Sequence, residues 1–327
     1  MNPLVSFVVP CFNYGRYIPD CLNSILGQEK GFDFEVILID DGSTDNTAEV
    51  IRSFSDRRIR LIWHATNLGH ALTINEGLSE ARGTFVARID PDDRYRPYFL
   101  RAVLEKLFAF PEVGLVYGDA ALINDRGDIT VERSDRVHGG RDFKGNEFPS
   151  LLEENFICSP TVIARREAWQ DALPVPEHLA FHDWYFTLMM ARQWEFYYIH
   201  RVLAEYRVHP MNHHSRITHD KSEEPSIFWL LDRIFSMQES TREMEERKLR
   251  ARQRVYAAHY LILATKYFGI HMDADAQRCY LKAIRHKPQY LFRPAVLRRL
   301  AATFIGRKAY ERSKSLIRST LQFRLDR

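Results

Sequence analysis

The residues of this chain best able to do chemistry are carboxylates at the ends of short apolar runs. Asp40-Asp41-Gly42-Ser43 closes the run FEVILID, Asp90-Pro91-Asp92-Asp93 follows TFVARI, and Pro10-Cys11-Phe12-Asn13 ends LVSFVVP. A carboxylate cannot hold a diphosphate directly, because like charges repel, but it can do so through a divalent cation. Magnesium or manganese takes one or two protein carboxylates and completes its shell with phosphate oxygens and water. Asp90 and Asp92, two apart across a proline turn, have the spacing for such a site. A lone D-x-D is more simply an acidic turn that caps the next helix, expected here from near Tyr95, and Asp93 is assigned that role. The second acidic cluster is what favours a metal for Asp90 and Asp92. No G-x-G-x-x-G follows the first run and no GxxxxGK[ST] occurs, so the dinucleotide and P-loop modes of phosphate binding are not expected.

The elements that must position these groups follow from the pattern. Residues 4–10, 34–40, 58–64 and 84–89 are β-branched and aromatic runs of strand length. Helical patterns lie between them: YIPDCLNSIL puts Ile18, Cys21, Leu22 and Ile25 on one face, STDNTAEVIRSF opens with capping residues Ser43, Thr44 and Asp45, and HALTINEGLSEARG carries Leu72, Ile74 and Leu78 before a stop at Gly83. Asn75 and Gly77 are assigned to helix packing. Strand and helix alternating in this way predict a parallel sheet covered by helices, whose ligands sit beyond the carboxyl ends of the strands. The three polar tips are thereby expected on one edge. Beyond residue 111 the rhythm shortens to a hairpin through NDRGD, a strand near SPTVIA, a helix in HDWYFTLMMARQ and a strand pair in WEFYYIHRVLAEYRVH. From about residue 225 the pattern is helical, and the segment around Ala257, Ala258 and Ala264 reads as a helical hairpin.

With 327 residues, 45% hydrophobic and 27% charged, the composition is that of a folded globular protein, which excludes disordered and low-complexity readings. The N-terminal run lacks a basic lead and ends in proline, unlike a signal peptide, and no stretch has the roughly 18 uncharged apolar residues of a spanning helix. Cys11, Cys21, Cys158 and Cys279 show no CxxC spacing, so neither a zinc site nor a disulfide framework is expected and a reducing cytoplasm is the default. The net charge of +3 is uneven: residues 291–327 carry ten Lys/Arg and two Asp/Glu.

VSFVVPCFNYGRYIPDCLNSILGQ, FEVILIDDGSTDNT and NLGHALTINEGLSEARGTFVARIDPDD together resemble the donor half of family 2 glycosyltransferases. The resemblance spans roughly residues 4–215. It implies the GT-A fold, an α/β architecture with a Rossmann-like, mostly parallel central sheet flanked by helices. It divides the chain into a glycosyltransferase domain over 1–220, with a nucleotide-sugar donor half at 1–110 and an acceptor half at 111–220, and a helical region with a basic tail over 221–327. It also implies inverting transfer of a sugar from a nucleotide-diphosphate donor, a UDP-sugar first, to an acceptor hydroxyl, with Mn2+ or Mg2+ as cofactor. Pro10, Phe12, Asn13, Asp41, Asn67, Gly69, Asp90 and Arg207 fall where the family binds donor. Among these Phe12 corresponds to an aromatic on the base, Asp41 to a carboxylate on uracil, Asp90 to the ribose contact and Arg207 to an arginine near the phosphates. Asp92 and His209 fall at the metal, the latter within Tyr206-Arg207-Val208-His209. The family's frequent Thr-Tyr after the first strand's proline reads Cys11-Phe12 here, and Phe12 cannot donate a hydrogen bond to a base.

An inverting displacement needs a base to take the acceptor's proton. The resemblance assigns this to Asp183 in His182-Asp183, where the family more often has a glutamate before the aspartate. Asp183 also suits a helix cap, and the two roles are compatible. Cys158 and Ser159 are expected at the acceptor site, 212–225 as a polar lid, and His213, His214 and His219 as non-ligands. In the tail, Leu297, Leu300, Ala301 and Phe304 share one helical face. An interfacial helix on anionic lipid and a packed helix with a solvated basic face account equally for this pattern. A lipid-linked or other glycan acceptor suits the first, with the enzyme cytoplasmic and peripheral at the inner face of the membrane. Nucleic acid is not an expected partner, because the basic stretch lacks interleaved aromatic platforms. The rival functions are a non-catalytic nucleotide- or carbohydrate-binding scaffold in a glycan assembly complex and a sugar nucleotidyltransferase, whose glycine- and lysine-rich opening loop is missing.

Overall fold

The computed structural model describes the backbone of residues 3–133, 137–209 and 213–306, and the side chains of the same residues except 213–215. Contacts divide the chain into two compact units, Met1–Leu151 with Asn155–Asn212, and Leu152–Glu154 with His213–Arg327. The first unit begins with β1 (Val5–Cys11), α1 (Ile18–Leu26), β2 (Phe34–Asp40), α2 (Thr47–Arg52), β3 (Ile59–Trp63), α3 (His70–Glu80) and β4 (Phe85–Arg88). It continues with β5 (Arg94–Tyr95), α4 (Phe99–Ala109), β6 (Val113–Ile123), β7 (Ile129–Val131), β8 (Phe143–Gly145), α5 (Phe148–Glu153), β9 (Ile163–Arg165), α6 (Arg166–Asp171), α7 (Asp183–Ala191) and β10 (Glu195–Arg207).

Among the described residues these strands form one sheet in the order β3-β2-β1-β4-β9-β6-β10-β5, with β7 on β6 and β8 on β10. β3, β2, β1 and β4 run parallel, as do β6 and β10, while β9 is antiparallel to both of its neighbours. β1, β2, β4, β6 and β10 therefore end on a common edge. β1 lies at a switch point, because β2 flanks it on one side and β4 on the other, and such a crevice is where open α/β sheets bind ligands.

The apolar runs form strands because helices cover both faces of the sheet, which requires continuous rather than alternating burial. All seven residues of β1 are buried. Ile18, Cys21, Leu22 and Ile25 of α1 pack into the core as their spacing predicts. Gly77 lets α3 approach the sheet, since a Cβ there would come within 2.5 Å of Val8; Asn75 ties the same helix to the backbone of Val175.

Several local expectations are corrected. The expected strand pair is one strand, β10, which stays continuous through register shifts beside Ile199 and Val202. Tyr95 lies in β5 and the next helix starts at Phe99, so Asp93 caps nothing. Of the three residues before α2, Asp45 alone bonds its first turn, accepting from Thr47. Leu72 is exposed rather than packed.

The second unit contains α8 (His213–His219), α9 (Glu223–Ser236), α10 (Arg242–Gly269), α11 (Asp273–His286) and α12 (Pro294–Ile305). Asn212, at the start of the expected lid, lies outside the described residues, as do residues 307–327 of the basic tail. The rest of the lid is largely the helix α8 and the start of α9. α10 and α11 form the expected hairpin, with Ala257 and Ala264 fully buried. The turn between α9 and α10 is closed by the buried Lys248 ammonium, which meets Glu239 at 2.9 Å and Glu245 at 3.0 Å. None of the described helices is long and apolar enough to cross a membrane.

His259 in α10 is buried, with Nε2 2.8 Å from the Leu152 carbonyl, and burial lowers its pKa from 6.5 to about 4. A depressed imidazole pKa means that the unfolded chain binds the proton more tightly. The stability held at neutral pH is therefore lost as pH falls below 6.5 towards 4. The share lost between pH 7 and pH 5 is roughly 2 kcal/mol. Urea melts at the two pH values are expected to differ by about that much more in the wild type than in His259→Gln.

Candidate active site

Two loops at the sheet edge are stitched together by side chains. Asn13, just after β1, takes a left-handed backbone (φ 62°), a conformation Asn tolerates. Its Oδ1 accepts from the Thr44 N–H at 2.7 Å and the Asp45 N–H at 3.3 Å, and its own N–H donates to the Ser43 hydroxyl at 2.9 Å. Phe12 beside it is 39% exposed, an aromatic face turned to solvent rather than a core residue. Gly42 (φ 69°) packs against the Thr66–Asn67 backbone, 2.6 Å from where a Cβ would stand, so no other residue fits.

Asp41 is buried and holds the next loop. Its Oδ1 accepts from the Leu68 N–H at 2.8 Å and meets His64 Nδ1 at 2.7 Å, while Oδ2 accepts from the Gly69 N–H at 3.0 Å. Asn67 stays exposed on that loop, and Gly69 (φ 97°) leads into α3. Burial alone would lower the His64 pKa, but bonds to Asp41 and Glu76 outweigh it and raise it.

β4 leads into the acidic turn, closed by the Asp93 N–H on the Asp90 carbonyl at 3.1 Å. Burial by itself would raise the Asp90 pKa; the Arg88 guanidinium and the imidazoles of His70 and His182 reverse this and hold it well below the usual carboxylate range. Arg88, itself buried, bonds Asp90 and also reaches Ser159 Oγ at 3.0 Å and His70 Nε2 at 3.1 Å. Asp92 Oδ2 lies 2.9 Å from His209 Nε2, both side chains nearly inaccessible. Burial raises the Asp92 pKa, and His209 opposes the rise. Asp93 is raised further, by burial and by Asp92 and Asp90. Its Oδ1 accepts from the Arg207 N–H at 2.8 Å, and its buried Oδ2 has no hydrogen-bond partner among the described residues. Tyr14 and Tyr206, both half-buried, have phenols pushed up by burial and by these same carboxylates.

Arg207 ends β10 and is 1% exposed. Its Nε donates to the Asp92 carbonyl at 2.8 Å, one terminal nitrogen reaches the Asn124 and Asp125 carbonyls at 3.3 Å, and the other meets Asp20 at 2.9 Å. The guanidinium, expected near the phosphates, clamps the acidic turn to the β6–β7 turn and to α1. Pro10, expected at the donor, is a buried strand residue in register with Ile39, and its missing N–H falls on the flank where β4 has stopped.

Asp183 opens α7, and the Asn155 side-chain amide donates to its Oδ2 at 3.0 Å. Asp183, Arg88, Ser159 and Thr187 are the polar groups of a small cleft whose other walls include Trp169 and Met190. Cys158 adjoins it, its thiol pKa pushed up by burial and by the fields of Asp93, Asp183 and Asp90. The donor-side carboxylates and Asp183 are thus neighbours across Cys158 and Arg88.

Among the described residues no group of three or more His, Cys, Asp or Glu is arranged to hold a metal ion. The Asp92–His209 pair supplies a carboxylate and an imidazole. That donor set fits a hard cation whose remaining ligands come from a diphosphate and water.

Sequence reasoning missed Arg88, His70, Tyr14 and the charged partners of Arg207. One signal was available: Arg88 is a cation inside an otherwise apolar four-residue strand, a position that demands a buried partner.

The family model for Glycosyl transferase family 2 matches residues 6–172, half of the chain, and the protein belongs to that family. Its fold is GT-A. The chain is 28% identical over 232 residues to an uncharacterized glycosyltransferase of Nostoc sp., covering 67% of this chain and 69% of the relative. It is 35% identical over 109 residues to the glycosyltransferase GlyG of Streptococcus pneumoniae, covering 33% of this chain and 36% of GlyG. Among solved structures it superposes on residues 1–349 of S. aureus TarS in complex with UDP-GlcNAc, with a TM-score of 0.67, 19% identity and coverage of 97% of this chain and 92% of the other. Mannosyltransferase PcManGT from Pyrobaculum calidifontis in complex with GDP-Man and Mn2+ gives a TM-score of 0.61 at 18% identity, covering 93% and 87%.

The clamp role of Arg207 is directly testable. Removing its side chain in Arg207→Met strands the buried Asp92 carbonyl and the two part-buried carbonyls of Asn124 and Asp125, and should destabilise the chain by roughly 2–4 kcal/mol. Arg207→Lys, a point charge without the planar fork, should recover only part of this in urea melts.

Proposed function

We propose that the chain is a metal-dependent, inverting member of its family that moves a sugar from a nucleotide-diphosphate donor, a UDP-sugar first, to an acceptor hydroxyl. The observation that carries this reading is Arg88, which bonds Asp90 of the acidic turn on one side and Ser159 on the other, and shares a cleft with Asp183. A donor held at the acidic turn then has its anomeric carbon near the carboxylate that must act on the acceptor.

In this reading Phe12 offers its exposed ring to the base, Asn13 and Asp41 hold the loops that surround it, and Asn67 and Gly69 present the rim of the crevice. Asp90 faces the ribose, kept ionised by Arg88. Asp92 and His209 hold Mn2+ or Mg2+, which when bound neutralises the charge on the departing diphosphate without proton transfer. Cys158 and Ser159 border the acceptor.

The acceptor oxygen attacks the anomeric carbon from the side opposite the diphosphate, and the old carbon–oxygen bond breaks with its electron pair remaining on the diphosphate. Asp183 takes the acceptor's proton. Asn155 occupies Oδ2 and orients the carboxylate, leaving Oδ1 for that proton. A single displacement inverts the anomeric centre, and no covalent enzyme intermediate is needed.

A membrane-borne acceptor, as in cell-surface polysaccharide or glycolipid synthesis, is supported by α12. Leu297, Phe304 and Ile305 lie on one helical face and are 42%, 64% and 68% exposed, ahead of a basic tail. These features favour a cytoplasmic enzyme attached peripherally at an anionic surface.

Two measurements test the proposal. Asp183→Asn should lower transfer at least ~100-fold in a product assay while calorimetric donor affinity stays within about three-fold; retained turnover would remove Asp183 as the base. In sedimentation with anionic vesicles, the full chain should bind and a Leu297→Ser/Phe304→Ser variant should lose most of that binding. Equal binding by both would reject attachment through α12.

A further inference from the structure

His64 has no part in the chemistry described so far, yet it closes a chain of charged contacts that ends at the 67–69 loop. It follows β3, and its N–H donates to the Asp40 carbonyl at 3.0 Å, which sets it next to Asp41 at the sheet edge. Its imidazole is 8% exposed. Nδ1 lies 2.7 Å from Asp41 Oδ1, and Nε2 lies 2.6 Å from Glu76 Oε2 in α3. Asp41 in turn accepts from the Leu68 and Gly69 N–H groups, and Gly69 leads into the helix that carries Glu76. The imidazole therefore bridges the end of β2 and α3 around the 67–69 loop.

Protonation decides what this bridge can do. An ionised carboxylate offers only acceptors, whereas a neutral imidazole has one N–H and one lone pair. With a carboxylate oxygen at each ring nitrogen, only the imidazolium satisfies both contacts. Asp41 after β2 and Glu76 on α3 are the charged groups that face the ring, and together they outweigh its burial and raise its pKa above the ordinary 6.5. Leu68 and Gly69 give Asp41 backbone N–H groups, which do not titrate; the His64 ring does. Losing the proton sets a nitrogen lone pair against one of the two carboxylates, and the ring then holds either Asp41 or Glu76 but not both. The loop between them loses a tether, and a loosened loop must be ordered again when a ligand binds.

We propose that protonated His64 is a positioning residue for the donor's base, bridging Asp41 and Glu76 so that nucleotide binding is coupled to one proton on its ring. The proposal rests on the reading of Asp41 and the 67–69 loop as the base end of the donor site. The imidazolium is the binding form, so affinity is highest while the ring is protonated and falls as pH rises through its raised pKa.

Calorimetric binding of UDP with Mg2+ to the full-length protein, between about pH 6.5 and pH 8.5, tests this against Glu76→Gln. The amide in that variant can donate to a neutral ring or accept from a charged one, which removes the need for the proton. Wild-type affinity should fall at least ~5-fold relative to Glu76→Gln over this range, because the ionisation of the nucleotide and its binding of metal are common to both proteins. His64→Gln, which has no titrating ring, should bind more weakly than wild type at the lower pH and share the profile of Glu76→Gln. By linkage, saturating UDP should raise the His64 pKa in wild type followed by NMR of labelled histidine, a readout that needs no variant. A wild-type profile parallel to that of Glu76→Gln, or a His64 titration that UDP does not move, would overturn the positioning role and leave the donor reading intact. No binding of UDP by wild type at any pH would overturn the UDP-site reading and this inference with it.

Discussion

Everything at the active edge depends on keeping three carboxylates, Asp90, Asp92 and Asp93, within one four-residue turn that is largely closed to water. Two unit charges about 6 Å apart at an effective dielectric of about 20 repel by about 3 kcal/mol, so the turn cannot hold three anions unaided. The structure answers each differently. Asp90 is ionised against Arg88, Asp92 is paired with His209, and Asp93, pushed towards its neutral form, accepts the Arg207 N–H. The partners come from Arg88 in β4 and from Arg207 and His209 at and just beyond the end of β10, so the turn and the end of β10 hold each other in place.

The same requirement explains why the end of β10 is so heavily bonded. Arg207 links the acidic turn, the β6–β7 turn and α1 through one planar group, and a planar donor fork suits several carbonyls better than an ammonium would. On the donor side the rigidity comes from small polar side chains. Asn13 and Asp41 satisfy loop N–H groups that would otherwise face the crevice, which leaves Phe12 and Asn67 as its exposed surface. A crevice organised before ligand arrives spends less of its binding energy on ordering loops.

Much of this architecture was legible in the sequence because burial on both faces writes strands such as VSFVVPC and FEVILID as unbroken apolar runs, and the acidic tips follow directly from them. Local periodicity also gave α1 and the α10–α11 hairpin. It failed where a side chain's role is decided by distant partners. Nothing in the sequence pairs Arg207 with its four protein acceptors, or shows that β4 stops beside Pro10. Asp93 has the signature of a helix cap, but the helix starts six residues later and the carboxylate belongs to β10. The bulges along β10 leave no composition mark, so the run reads as two strands in sequence.

The central claim is that Asp92 and His209 hold a divalent cation which in turn holds a nucleoside diphosphate at the β1–β4 crevice. The most direct measurement is thermal stabilisation of wild type and Asp92→Asn by UDP, GDP, dTDP and CMP, each with and without Mn2+, because a ligand that binds only the folded state raises its melting temperature. The account predicts that a nucleoside diphosphate, UDP first, stabilises wild type only when Mn2+ is present and does not stabilise Asp92→Asn. Stabilisation that is indifferent to Mn2+, or equal in the two proteins, would contradict it.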